Sequence, residues 1–430
     1  MPCRLLSLLV VFILTPSAIA ADKPNIIWIV SDDAGYNDFS MHGSKTPTPR
    51  IDSLGSSGVR FTNGYVSGCV CSPTRAGLLS GRYQQRFGHE FNIPPVYSET
   101  NGLPLSETLM PAVLKGHGYR TIAMGKWHLG YAPQFHPMER GFTDYYGFLQ
   151  GARSYWTLDK PTKLNRILRD REVVTPEKFD YMTDHLADET VKYINKHKDQ
   201  PFFIYLAFNA THGPFHATET DLKKANGDKV AAMTIALDRA VGKVLDALDR
   251  NKLTENTMVV FLNDNGGTPK HDNRPLRGNK GSCWEGGIRV PFVMQWPAQI
   301  KAGQVRDEPV IALDLFPTAL AAAGIAETTS KPLDGTDLLP YLGQNKKAMP
   351  KRTLYWKNAA KWAVRDGDLK LVVGEGKSGD KPMLFNVAKD ISEENNLAAK
   401  QPEDVARLQA LYDKWKATHR PTPWSGKKKK

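Results

Sequence analysis

Cysteine is scarce, with only four in 430 residues, and at that length and count a disulfide-stapled scaffold is excluded. No internal repeat is present, so solenoid and propeller arrays are excluded as well. Beyond the first fourteen residues no apolar run approaches the roughly 20 residues needed to span a bilayer. What is there is globular composition: 41% hydrophobic and 24% charged, with 35 Gly and 29 Pro, neither fibrous nor disordered. The length allows one large core with a smaller unit beside it.

The first stretch reads as a leader. Arg4 precedes the apolar Leu5–Leu14, and Ala18-Ile19-Ala20 supplies small residues for cleavage, the pattern of an export signal over residues 1–20. The expected mature chain begins near Ala21, without a transmembrane segment, in the periplasm or outside the cell. Cys3 leaves with the leader, so Cys69, Cys71 and Cys283 remain. An odd number in an exported protein flags a thiol with another purpose. The net charge of +12, four units of it in the terminal Lys427–Lys430, favours anionic ligands. Export argues against nucleic acid among them.

Short runs rich in β-branched and aromatic residues stand at Asn25–Val30, Arg120–Met124, Phe202–Phe208, Met258–Leu262 and Pro291–Trp296. They are mostly unalternating, as buried parallel strands are. Helical patterns lie between them at Ser106–Lys115, Tyr181–His197 and Asp228–Leu248. The alternation predicts an α/β fold, a doubly wound and mostly parallel sheet flanked by helices over residues 21–345. From about Lys351 short segments separated by turn residues, then a helical pattern at Pro402–Thr418, predict a smaller antiparallel α+β unit over 346–420. Residues 421–430 read as a basic, disordered tail.

Polar residues follow four of the five runs. Ser31-Asp32-Asp33, Gly125-Lys126-Trp127-His128 and Asn263-Asp264-Asn265 stand directly after three of the runs, and Thr211-His212-Gly213-Pro214 begins three positions after Phe208. Ligands of open α/β sheets bind at carboxyl strand ends, so these clusters are expected to converge on one site. Two adjacent carboxylates repel unless a cation neutralises them. Asp32 and Asp33 with Asp264 and Asn265 make an all-oxygen set suited to Ca²⁺ or Mg²⁺ rather than zinc. A single such pair reads more simply as helix capping, and two pairs at one edge reverse that preference.

The stretch Cys71-Ser72-Pro73-Thr74-Arg75 followed by Leu78-Leu79-Ser80-Gly81-Arg82 resembles the type I sulfatase signature, C-x-P-S/T-R then L-x-T/S-G-R. Gly118-Tyr119-Arg120-Thr121 with Gly125-Lys126 and Gly130 is similar to that family's second signature. Arg277-Gly278-Asn279-Lys280-Gly281 and Glu285–Pro291 extend the resemblance over nearly the whole mature chain. The fold it implies is alkaline phosphatase-like.

The resemblance further implies that a maturation enzyme oxidises Cys71 to formylglycine, whose hydrate offers one hydroxyl to attack sulfur and a second to eject sulfate. It implies that Asp32, Asp33, Asp264, Asn265 and residue 71 hold Ca²⁺. Arg75, Lys126 and Lys280 would surround the substrate's charge. His128 would deprotonate the second hydroxyl, and His212 with Lys280 would help the alcohol leave. Thr211 stands where the family often has proline. Expected substrates are sulfated carbohydrates or aryl sulfates, with nine Trp and fifteen Tyr available for stacking on sugar rings.

Three other readings are weighed. A phosphomonoesterase or phosphonate monoester hydrolase would be better served by a second metal, for which there is no His-rich set. A non-catalytic polyanion-binding protein would not need an intact C-S-P-T-R. His212 and His216 lie at helical zinc spacing, but Pro214 between them argues against a helix. His42, His89, His117, His136 and His271 have no motif support, although His89 and His271 lie close enough to recognised segments to touch substrate. Ser154 is a weaker candidate still.

Overall fold

The computed structural model describes residues 23–326, 329–343, 348–376 and 379–424. The expected leader and the lysines of the tail lie outside these residues. A ten-stranded sheet organises the chain, in the order Gln304–Arg306 (β11), Val59–Phe61 (β2), Phe292–Gln295 (β10), Thr257–Asn263 (β9), Asn25–Ser31 (β1), Phe202–Ala207 (β8), Arg120–Lys126 (β4), Asp144–Phe148 (β5), Leu168–Arg169 (β6) and Glu172–Val173 (β7). The five strands from β9 to β5 run parallel. A short parallel pair, Gly64–Tyr65 (β3) with Val310–Ile311 (β12), lies beside it.

The central strand β1 is buried along its whole length, which explains its unalternating sequence. Its side chains divide by parity. Ile26, Trp28 and Val30 join the core beneath helices Cys71–Ser80, Met110–Gly116 and Leu315–Ala322, while Ile27 and Ile29 join that beneath Pro49–Ser56, Met182–His197 and Lys229–Arg250. Both faces are therefore covered, as a doubly wound parallel sheet requires. The Lys229–Arg250 helix starts where Asp228 accepts hydrogen bonds from the amides of Val230 (2.8 Å) and Ala231 (3.1 Å), an N-cap of the usual kind.

Two expectations need correction. Pro291–Trp296 was expected among the parallel strands, yet β10 runs antiparallel to both β9 and β2. After β9 the chain stays at the same sheet edge through one short helix, Glu285–Ile288, and without a full crossover the next strand must run back. The helix expected from Ser106 begins only at Met110, because residues 104–107 form a turn closed by Glu107 N–H on the Pro104 carbonyl (3.1 Å).

Thr353–Asn358 (β13), Lys361–Asp366 (β14), Leu369–Val373 (β15) and Met383–Asn386 (β16) form an antiparallel meander covered by helix Pro402–Lys416. Its apolar face does not close on itself. Trp356, Val364, Leu371, Tyr412 and Trp415 share a cluster with Tyr65, Cys69, Tyr83, Cys283 and Ile288 of the large unit, and Trp356 donates to the Val66 carbonyl at 2.6 Å. Trp424 is also buried and donates to the Phe91 carbonyl at 3.1 Å.

Candidate active site

Strand register aligns the site. Ser31 pairs with Asn263, Val30 with Ala207, and Gly125 with Ala207, so the residues that follow β9, β1, β8 and β4 emerge at one level. Asp32 is tied to the β8 loop in both directions, its amide on the Ala210 carbonyl and the Thr211 amide on its own carbonyl, each at 2.7 Å. Asp33 adopts a left-handed backbone, φ 63°. Extended backbone sends neighbouring side chains to opposite faces; this kink lets carboxylate oxygens of Asp32 and Asp33 reach one point together with Cys71 Sγ and a His212 ring nitrogen, all within 4.8 Å of one another. Asn263 braces the turn by donating to the Ala34 carbonyl at 2.7 Å.

Each residue of the first motif has a local task. Cys71 opens a ten-residue helix that is buried throughout. Ser72 Oγ donates to the His128 carbonyl (2.7 Å) and contacts His89 Nε2 (2.6 Å), while its amide donates to Asn92 Oδ1 (2.9 Å). Pro73 sits in the first turn, where a missing N–H costs nothing. Arg75 follows Cys71 by four residues and so shares its helix face. Gly81 ends the helix at φ 67°, a left-handed cap that favours glycine.

The charges interlock. Arg75 donates to Asp264 Oδ2 through Nε (3.0 Å) and Nη2 (2.7 Å), and its Nη2 lies 3.7 Å from Asp32. Its Nη1 reaches the Lys126 carbonyl at 3.3 Å and the Tyr205 hydroxyl at 3.5 Å. Lys126 is paired with Asp32. Lys280 Nζ lies 2.6 Å from Asp33 Oδ1 and 3.2 Å from Cys71 Sγ. His212 Nε2 lies 3.5 Å from Asp33, and Cys71 Sγ is 3.5 Å from Asp32. Side-chain exposure is 0% for Arg75, Asp32 and Lys126 but 18% for Lys280 and 25% for His212. The cluster therefore opens to solvent on the Lys280 and His212 side.

Burial works against the charge on Asp32, but Lys126, His212, Arg75 and Lys280 hold its carboxyl well below the usual range. Burial and the Asp32 charge push Asp264 up to about 6. Burial pushes the Cys71 thiol far above its ordinary value despite Lys126 and Lys280. Burial, with Lys126 and Arg75 beside it, holds His128 well below the usual histidine range, which favours the neutral imidazole. That ring is tightly placed: a Cβ on Gly151 would lie 2.5 to 2.9 Å from three of its atoms. Its Nδ1 is buried without a hydrogen-bond partner.

The residues fit a hard divalent cation. Asn265 donates through Nδ2 to Asp33 Oδ1 at 2.8 Å, leaving its own Oδ1 buried and unpartnered. A buried acceptor left unmade is costly, and a cation between it and the carboxylates would satisfy it. The carboxylate oxygens of Asp32 and Asp33 and the unpartnered Asn265 oxygen could serve as its ligands, beside Cys71 Sγ and the His212 ring.

The motif histidines and the others separate here. His89, expected close enough to touch substrate, is wholly buried behind the Cys71 helix, where it holds Ser72. His271 bridges the hydroxyls of Thr211 (3.0 Å) and Thr268 (2.9 Å). His42 stacks on Tyr36 with ring centroids 3.8 Å apart. His117 contacts the Val113 carbonyl at 2.9 Å, and the His136 ring accepts from the Met138 amide at 3.3 Å. Cys69 and Cys283 are buried free thiols, and hydrogen bonding to Cys69 pushes Cys283 well up. Asn92 and Tyr205 were not singled out from sequence, whereas Asn263 stood in the polar cluster after Met258–Leu262.

Known proteins place this arrangement. The sulfatase family model matches residues 24–325, and a second model, described as N-sulphoglucosamine sulphohydrolase, C-terminal, matches residues 279–416. The N-acetylgalactosamine-6-sulfatase of Rattus norvegicus is 35% identical over 355 residues, covering 76% of this chain and 67% of that protein. An uncharacterized sulfatase of Escherichia coli K12, YdeN, is 33% identical over 399 residues, covering 78% and 68%. The crystal structure of Ps i-CgsB in complex with k-i-k-neocarrahexaose superposes with a TM-score of 0.89 at 35% identity, covering 94% of this chain and 95% of that one. With a family model spanning residues 24–325 and relatives of this similarity, the chain belongs to the sulfatase family of sulfuric ester hydrolases.

Proposed function

We propose that the protein releases inorganic sulfate from sulfate esters of carbohydrates at the strand-end cluster, with residue 71 as formylglycine and Ca²⁺ as the cation. The observation that carries this reading is the convergence of Cys71, two adjacent carboxylates and three cationic side chains on one opening. As a thiol Cys71 is poorly suited to attack: burial keeps it protonated, and the thiolate is the reactive form. A formylglycine hydrate at the same place presents hydroxyls instead. Because Cys71 is 1% exposed, the maturation enzyme must reach it before the helix is packed.

Asp32, Asp33, Asp264, Asn265 and residue 71 would hold the cation, with Mg²⁺ the other ion suited to such a set. When bound, it would polarise a sulfate oxygen and the hydroxyl of residue 71. Arg75, Lys126 and Lys280 supply positive charge to the sulfuryl group from a preorganised, largely dehydrated wall. His128, neutral and rigidly packed, takes the proton in the ejection half of the reaction. His212 and Lys280 stand on the open side, where the alcohol leaves, and deliver a proton to it.

A sugar alcohol is favoured by three observations. One structural neighbour at 35% identity is a complex with k-i-k-neocarrahexaose, one relative acts on a sulfated sugar by its name, and the net charge is +12. Substrates of this size fit an exported enzyme, and among the described residues no helix is long and apolar enough to cross a membrane. The catalytic unit is assigned to residues 21–345 and the supporting α+β unit to 346–420. The test is a panel of defined sulfated saccharides and the matching phosphate esters, read by release of inorganic anion. Sulfate release from at least one saccharide, with slower phosphate release, is the expected result. Faster phosphate release would move the protein to the phosphomonoesterase reading.

A further inference from the structure

Most large apolar side chains on this surface are scattered singly, which needs no explanation. Trp156 is different: it is the single tryptophan among the exposed large hydrophobics of the described residues, 36% exposed. It is also firmly held. Its amide donates to Ser154 Oγ at 3.1 Å. Its ring lies 5.2 Å from Tyr181 at a tilt of 56°, and it stacks at 19° on His216 with centroids 6.2 Å apart. Tyr181 fixes His216 in turn, donating to its carbonyl at 2.9 Å. One aromatic surface is thus left open while the ring's position is fixed from behind.

The position is informative. Tyr155, the preceding residue, is wholly buried and its hydroxyl contacts the carbonyls of Asn209 and His212, the latter at 2.8 Å. His216 follows His212 by four residues. The Tyr155–Trp156 segment thus packs against the loop that carries the histidine 3.5 Å from Asp33.

We propose that Trp156, backed by His216 and Tyr181, is a carbohydrate subsite that stacks the pyranose ring adjoining the sulfated one. This rests on the carbohydrate reading of the function. The sulfated ring must present its ester at residue 71 and its departing oxygen to His212. The next ring along an oligosaccharide then reaches the far end of the His212–His216 turn. A pyranose exposes an apolar C–H face, which matches a flat indole, and a ring already locked in place loses little entropy on binding.

The test compares Trp156→Ala and Trp156→Phe with the parent enzyme, metal-loaded and matured, on a sulfated oligosaccharide and on the sulfated monosaccharide that lacks the adjoining ring. Expected is a rise of about tenfold in KM for the oligosaccharide in Trp156→Ala, consistent with loss of a buried aromatic contact, little change in kcat, and no change on the monosaccharide. Trp156→Phe should recover most of the loss. Oligosaccharide should perturb tryptophan fluorescence in the parent and not in Trp156→Phe. An unchanged oligosaccharide KM, or an equal loss on both substrates, overturns the subsite and leaves the sulfatase reading standing. A parent enzyme that releases sulfate from no saccharide overturns the carbohydrate reading itself.

Discussion

Two clusters of buried charge lie in this molecule, and they are built on opposite terms. At the seam between the large unit and the C-terminal meander, Lys370 donates to Glu285 (2.8 Å) and Glu393 (2.9 Å), all with 0% side-chain exposure. The remaining oxygens are also occupied: Tyr65 and Arg289 cover Glu285 Oε2, and the Glu285 amide covers Glu393 Oε2. At the strand ends the same residue types leave Asn265 Oδ1 and His128 Nδ1 without partners, and Lys280 and His212 reach solvent. A closed network specifies how two units dock; an open one keeps valences for a ligand. Burial of charge alone does not distinguish function from architecture, whereas unsatisfied atoms beside an opening do.

The difference can be broken from either side. His128→Ala should lower turnover by about 10²–10⁴, the usual loss for a positioned acid or base, with little change in thermal midpoint. Rapid quench should then show a burst of alcohol followed by stalled turnover. A variant that keeps full steady-state rate would make His128 structural. Lys370→Met should do the reverse, destabilising by about 3–5 kcal/mol because two buried carboxylates lose their counter-charge, with kcat of the folded fraction unchanged. Thermal scans beside assays well below the transition measure both. A fall in kcat without a fall in stability would merge the two clusters into one functional unit.

The smallest effect is in pH dependence. Burial and Glu285 push Glu393 up to about 7, against Lys370. Glu285 is held down to about 2, against burial, by Lys370, Arg289 and Arg365. Glu393 takes up its proton more readily when folded, so its contribution is full below the usual carboxylate range and is lost as pH rises to about 7. Glu285 contributes fully above that range and loses its contribution as pH falls towards 2. Glu393→Gln should therefore flatten the decline in stability between the ordinary carboxylate range and neutrality. Denaturant midpoints across that window would show it, and an unchanged slope would place the titration elsewhere.

The contrast also explains what could be read from sequence. Buried parallel strands announce themselves as unalternating runs, and polar residues written directly after them fall at one sheet edge, so Asp32, Asp33, Lys126, His212 and Asp264 were legible. Strand direction was not: β10 is as apolar as its parallel neighbours, and only the path between Asn263 and Phe292 decides its sense. Lys370, within Leu-Lys-Leu-Val-Val, reads as an exposed edge residue because its partners lie 85 and 23 positions away. Asn92 and Tyr205 were silent for the same reason, since each acts through a contact the chain makes only after folding. Trp156 was one tryptophan of nine until its neighbours were known.

The central claim is that residue 71 of the open cluster acts as formylglycine, and mass spectrometry of the proteolytic peptide containing that position, taken from catalytically active protein, tests it most directly. The account predicts a peptide in which the sulfur and two hydrogens of Cys71 are replaced by one oxygen, in proportion to specific activity across preparations. Full activity in protein whose residue 71 is wholly unmodified cysteine would contradict it.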